Sequence, residues 1–266
     1  MGWTLTVAII LYTLGLLHSV FGFYKKRQIF VKVAQAMVGA AFIFHTLSLV
    51  LLGIAREHFP ITNLPESLCL FAWFVTLSFL LANFRYDIKA LGAFTLPLVS
   101  LLTIVTLVIR EENQAIPEGI TSGWVYFHSS IAFLAYAAFF LTFISGILYL
   151  IQEKELKTKN FRFLYFRLPS LQACNELMRL FLLVGFIAMS LTIITGTIQA
   201  RQAWEHTWTW DPKVASSLIT WGIYLILIHY RFSAKWHGRK AAYISIVGFA
   251  SVLITFGINW GLHTYL

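Results

Sequence analysis

Ile131-Ala-Phe-Leu-Ala-Tyr-Ala-Ala-Phe-Phe-Leu-Thr-Phe-Ile-Ser-Gly-Ile-Leu-Tyr-Leu-Ile151 lies at the centre of an apolar stretch, about 124–152, that contains no Asp, Glu, Lys or Arg. An α-helix crosses the hydrocarbon core of a bilayer in about 20 such residues. Seven further stretches share this character, at about 2–24, 33–55, 67–84, 90–109, 180–200, 214–230 and 241–266, and none carries a charge. Hydrophobic residues make up 59% of the chain and charged ones 12%, against about 25% charged in an ordinary soluble domain. Only helices and closed barrels satisfy their backbone in lipid. These runs are too long and too continuously apolar for barrel strands. The sequence therefore predicts an all-α fold, a polytopic transmembrane helical bundle of about eight spans. One such domain fills 1–266, with no linker or low-complexity tract.

The basic residues give the expected orientation, because Lys and Arg accumulate on the cytoplasmic side of membrane proteins. With eight spans, one set of connections carries 16 of the 20 Lys and Arg residues, among them Lys25, Lys26, Arg27, Arg85, Lys154, Arg167 and Lys240. The other set holds Arg56, Arg110, Arg201 and Lys213. Both termini and the 201–213 loop are expected outside. The net charge of +9 thus reads as topology. It comes without a nucleic-acid motif, and no nucleic-acid partner is expected. The first apolar run lacks a basic segment before it and reads as a retained span. In the 153–175 connection, Phe161, Phe163, Leu164, Tyr165 and Phe166 stand among basic residues and suggest a strip on the membrane surface. Cys69 and Cys174 fall on opposite sides in this topology and form no Cys-x-x-Cys motif.

The 201–213 loop contains Trp204-Glu-His-Thr-Trp208-Thr-Trp210-Asp211-Pro212-Lys213. A membrane-edge belt uses one or two tryptophans; three in seven residues beside a carboxylate fit a surface that lies against a large planar ligand. Asp211-Pro212 also fits a helix start, with Asp as N-cap and Pro at the first helical position. Two histidines, His128 and His263, fall at the outer ends of the fifth and eighth spans. A pair of imidazoles on opposite faces of a macrocycle is a common way to hold haem iron. Within the membrane lie His18, His45 and His229, and ionisable residues there lean toward function. By depth, His229 pairs better with His18 than with His45, and an interhelical hydrogen bond is an equal alternative for either of those two.

The segment Ala203 to Trp221 resembles the tryptophan-rich motif of the cytochrome c assembly family of haem-handling membrane proteins. The similarity is best to its CcsA/ResC type of system II, with the HemX type as a near relative. Phe59-Pro-Ile-Thr-Asn-Leu-Pro-Glu-Ser-Leu68 with Ala72-Trp73, His45-Thr-Leu, His128-Ser-Ser-Ile-Ala-Phe-Leu-Ala-Tyr136, His229-Tyr-Arg231 and Gly261-Leu-His263-Thr-Tyr resemble further segments of that family. Glu205 stands where the family has Gly, Val214-Ala-Ser216 where it has Glu-Thr-Trp, and Pro65 where it has Tyr. These departures move some weight toward the HemX branch.

The resemblance implies a haem-binding protein of cytochrome c biogenesis in a bacterial cytoplasmic membrane, presenting non-covalent haem b at the outer, periplasmic face to apocytochrome c. A second membrane subunit would complete the synthetase. Trp204, Trp208 and Trp210 would cover the ring, while Arg201 and Lys213 would meet the propionates, with Asp211 orienting a donor or holding Lys213. His128 and His263 would be axial ligands outside, and His229, with His18 or His45, would ligate nearer the cytoplasm. No self-contained catalytic constellation is evident. A HemX-type regulator of haem synthesis is the alternative reading, and a small-solute transporter a more distant one.

Overall fold

The computed structural model describes residues 2–25, 27–86, 88–109, 122–159, 163–203, 212–233 and 238–261, except for the side chains of 199–203, 213, 233 and 259–261. Its described residues form eight α-helices and no strand: α1 Trp3–Lys25, α2 Gln28–Arg56, α3 Leu64–Tyr86, α4 Leu91–Val108, α5 Gly123–Lys157, α6 Leu171–Ala203, α7 Pro212–Ser233 and α8 Arg239–Gly261. Each coincides with most or all of one of the apolar stretches. Seven are long and apolar enough to cross a membrane. The exception, α7, has 22 residues, but Ser216, Ser217, Thr220, His229 and Arg231 dilute its apolar run. Even the 18-residue α4 is about 27 Å long at about 1.5 Å per residue, close to the roughly 30 Å hydrocarbon core. The chain is a multi-pass helical membrane protein.

The chain divides into two compact units of four helices. The first holds α1–α4 together with Lys159–Pro169, and the second holds α5–α8. Many polar side chains within the spans find partners on their own helix or the next. Thr76, Thr103, Thr142 and Thr192 each donate to the carbonyl four residues earlier. Thr220 and Thr255 join α7 to α8 through hydroxyls 2.9 Å apart.

In the first unit, Asn63 caps α3: its Oδ1 accepts from the Glu66 N–H at 2.9 Å, and Pro65 sits in the first turn, where its missing donor costs nothing. The α5–α6 connection packs onto the end of α1. Phe163 stacks on Tyr24 with centroids 5.1 Å apart, and Arg167 Nη2 donates to the Tyr24 carbonyl at 2.7 Å, serving one of the carbonyls a helix end leaves open. Phe163, Leu164 and Phe166 are exposed, as the expected surface strip requires, while Phe161 lies outside the described residues.

In the second unit, one residue from each helix builds the centre. The fully buried rings of Phe139 and Tyr224 lie face to face, 3.5 Å between centroids and 6° between planes. Gly185 of α6 and Gly248 of α8 close on them. An added Cβ would fall 2.5 Å from Phe139 Cε1 and 2.8 Å from Tyr224 Cζ respectively, so the stack fits only where these helices carry no side chain.

Candidate functional site

His128 stands in the second turn of α5, half-buried, where the second unit joins α5 to α6. Ser122 caps the helix, its side chain accepting from the Val125 N–H. The His128 Nδ1 lies 2.9 Å from Thr195 Oγ1 on α6. One turn earlier, Trp124 Nε1 donates to the carbonyl of the same threonine at 3.1 Å. A side chain at Gly196 would approach the imidazole, with Cβ 3.0 Å from its Cε1. The ring is thus held by Thr195 and accommodated by Gly196, while its Nε2 makes no hydrogen bond to a described residue. Trp124 and Phe127, both exposed aromatics, flank it on its own helix.

The other membrane histidines differ sharply. His45 has no exposed surface, and both nitrogens are occupied inside the first unit: Nδ1 is 3.2 Å from the Tyr12 hydroxyl and Nε2 is 3.2 Å from Cys69 Sγ. His45 thus takes the interhelical hydrogen-bonding alternative. His18 bonds through Nδ1 to the Leu14 carbonyl at 2.8 Å. A carbonyl can only accept, so Nδ1 carries the proton and Nε2 keeps a lone pair. His229 is exposed on α7, edge-on to Tyr230. Two residues on, Arg231 turns inward, and its Nη2 reaches the Asn175 carbonyl at 2.6 Å and Oδ1 at 2.9 Å. The His229-Tyr-Arg segment therefore combines an outward imidazole with an inward cation that locks α7 to the start of α6.

Trp204, Trp208, Trp210, Asp211 and His263 lie outside the described residues. Arg201 falls in the last turn of α6 and Lys213 is the second residue of α7, without described side chains. Pro212 opens α7, the first helical position expected of it. Arg56, one of the four cations expected outside, bonds through Nη1 to Glu66 Oε1 at 2.8 Å. The other oxygen of that carboxylate accepts from the Thr62 N–H and hydroxyl at 2.8 and 2.9 Å. The 59–68 loop is therefore built around a buried acid.

Two segments that carry the family resemblance meet in the first unit. His45 touches Cys69, and Thr46 accepts from Trp73 Nε1 at 2.8 Å, with Phe42 stacked on that indole. The family model described as "Cytochrome C assembly protein" matches residues 61–263.

The chain belongs to the cytochrome c assembly protein family.

Relatives of this cytochrome c assembly protein extend the match to nearly the whole chain. A cytochrome c biogenesis protein CcsA from Prochlorococcus marinus subsp. pastoris is 31% identical over 91% of this chain and 85% of its own length. The protein of the same name from Guillardia theta is 30% identical over 98% and 93%. Among solved structures, the cytochrome c heme lyase CcmF superposes with a TM-score of 0.70 at 17% identity, over 95% of this chain and 45% of its own; that similarity concerns the fold. The family match favours cytochrome c biogenesis over haem-synthesis regulation and transport.

Sequence reading missed Thr195, Trp124 and the Arg56–Glu66 pair. Glu66 stands inside a segment that carries the resemblance, so its presence was signalled and its partner was not. Nothing in the sequence marks Thr195, one of many threonines in apolar runs.

Proposed function

We propose that this cytochrome c assembly protein acts by holding non-covalent haem b and presenting it at the outer face of a bacterial cytoplasmic membrane to apocytochrome c. In this reading 1–266 is one haem-handling domain, both termini and the tryptophan loop face outward, and a second membrane subunit completes the synthetase. The observation that carries it is His128: an imidazole anchored through Nδ1 with Nε2 unengaged by any described residue, in a chain whose relatives over almost their full length are cytochrome c biogenesis proteins.

Each residue has its part. His128 and His263 would hold the outer haem through its iron. Trp204, Trp208 and Trp210 cover apolar ring surface. Arg201 and Lys213 pair with the propionates, and Asp211 orients Lys213 or caps α7. Arg56 is engaged with Glu66 and holds the 59–68 loop in shape. Nearer the cytoplasm, His229 is a ligand. In the first unit, His18 has Nε2 available, whereas His45 has both nitrogens in use. Haem supplies two vinyl groups, across which the apocytochrome's cysteine S–H bonds add. This chain's own thiols, Cys69 and Cys174, are buried, so its contribution is binding, orientation and shielding of the haem.

The test is covalent cytochrome c in membranes of a strain that depends on this gene. Deletion should abolish it, wild-type chain should restore it, and His128→Ala should fail to restore it at equal protein level. Normal cytochrome c in the deletion strain, with altered haem precursors, would contradict the proposal.

A further inference from the structure

The Thr195 hydroxyl decides where His128 carries its proton, and its meaning for haem rests on the reading of His128 as an iron ligand. Thr195 is buried. Its Oγ1 lies 2.8 Å from the Leu191 carbonyl and 3.1 Å from the Thr192 carbonyl, both on its own helix. A hydroxyl has one hydrogen and two acceptor lone pairs, and a carbonyl can only accept. The hydrogen therefore points back along α6. The remaining direction is toward His128 Nδ1, 2.9 Å away, and there the oxygen is an acceptor. The imidazole must bring the proton.

A neutral imidazole has a single N–H. Placing it on Nδ1 puts the lone pair on Nε2, the nitrogen that makes no hydrogen bond to a described residue. Free histidine side chains favour the opposite tautomer, with the proton on the nitrogen that a metal would need. The Trp124 indole holds the Thr195 carbonyl, and the absent side chain of Gly196 leaves the imidazole its place. Donor, acceptor and ring are thus fixed across two helices before any ligand arrives.

We propose that Thr195 is a positioning residue for haem: it fixes His128 as the Nδ1–H tautomer and so keeps the Nε2 lone pair ready for iron. Metal-binding histidines are commonly oriented through their second nitrogen, and loss of that partner typically lowers metal affinity about 10- to 100-fold.

Thr195→Val keeps the shape and removes the hydroxyl; Thr195→Ser keeps the hydroxyl. The first measurement is nitrogen NMR of haem-free, imidazole-labelled protein in detergent, with the His128 signals assigned by their loss in His128→Gln. The parent and Thr195→Ser should show the Nδ1–H tautomer, and Thr195→Val should shift toward Nε2–H. The second is haem affinity by titration: Thr195→Val should bind about 10- to 100-fold more weakly, and Thr195→Ser near the parent. An Nε2–H tautomer in the parent, or an unchanged tautomer in Thr195→Val, overturns the role of Thr195 whatever haem does. Should His128→Ala bind haem with an unaltered spectrum, the ligand assignment fails instead, and the tautomer result shows which of the two statements broke.

Discussion

The Arg56 guanidinium lies 2.8 Å from a Glu66 carboxylate that has no exposed surface. Arg56 ends α2 and Glu66 stands in the first turn of α3, so the pair closes the loop between them. Acid near a helix start and base near a helix end each suit the helix dipole. Thr62 completes the carboxylate's shell through its N–H and hydroxyl, so the buried charge is fully served.

Glu66→Gln should therefore destabilise the protein. Breaking a fully buried pair costs about 3–5 kcal/mol; with Arg56 29% exposed, water takes over part of its solvation and the loss should be nearer 2–3 kcal/mol. Thermal unfolding in detergent reads this as a lower midpoint for Glu66→Gln than for the parent. An unchanged midpoint would mean that the loop is held by other contacts.

Gly185→Ala should also lower the unfolding midpoint, because its Cβ would press on the Phe139 ring. Overpacking of this kind costs about 1–3 kcal/mol. The substitution Gly39→Ala is the control, since an added Cβ there meets nothing within 4 Å, and it should leave the midpoint in place. Equal behaviour of the two variants would contradict the packing described for the Phe139–Tyr224 stack.

The tryptophan loop separates stacking from ligation. An aromatic ring contributes roughly 0.5–1.5 kcal/mol beyond area burial. Trp208→Phe should consequently weaken haem binding only modestly and keep the iron spectrum close to that of the parent. Trp208→Ala should lower occupancy much further. Trp204, Trp208 and Trp210 replaced together by Ala with full haem occupancy, but poor membrane insertion, would make the loop an interfacial anchor.

Topology is open to direct chemistry. The 16-to-4 division of basic residues predicts that Thr207 faces outward, and both native cysteines are buried and should stay silent. A membrane-impermeant maleimide should label Thr207→Cys in intact cells. Labelling only in inverted vesicles would place the loop on the cytoplasmic side and remove the basis for outward presentation.

Each apolar stretch became a helix because uncharged runs of this length leave the backbone no other satisfied state in lipid. The helix ends were less legible. Hydropathy stops near residue 180, yet α6 begins at Leu171, carried outward by Ser170, which caps it, and by a Gln172–Glu176 bond. Similarly, α5 runs on to Lys157 with support from Glu153. Polar helical turns beyond an apolar span leave no trace in an apolar pattern. At the site, His128 stands out because imidazoles are rare near membranes, whereas Thr195 is 67 positions away and becomes its partner only through the register of α5 against α6. His45 and His18 look alike as single residues in apolar runs. Their neighbours in space, Tyr12 and Cys69 for one and a carbonyl of its own helix for the other, separate the engaged ring from the available one.

The most direct test of haem presentation is the ultraviolet–visible spectrum of the purified protein beside that of the His128→Ala/His263→Ala double variant, prepared from the same haem-replete cells. The parent should show a Soret band, with lower amplitude and shifted position in the double variant, partly restored by added imidazole that fills the vacated coordination positions. A double variant with the parent's haem content and an identical spectrum would contradict the assignment of His128 and His263 as the outer ligands.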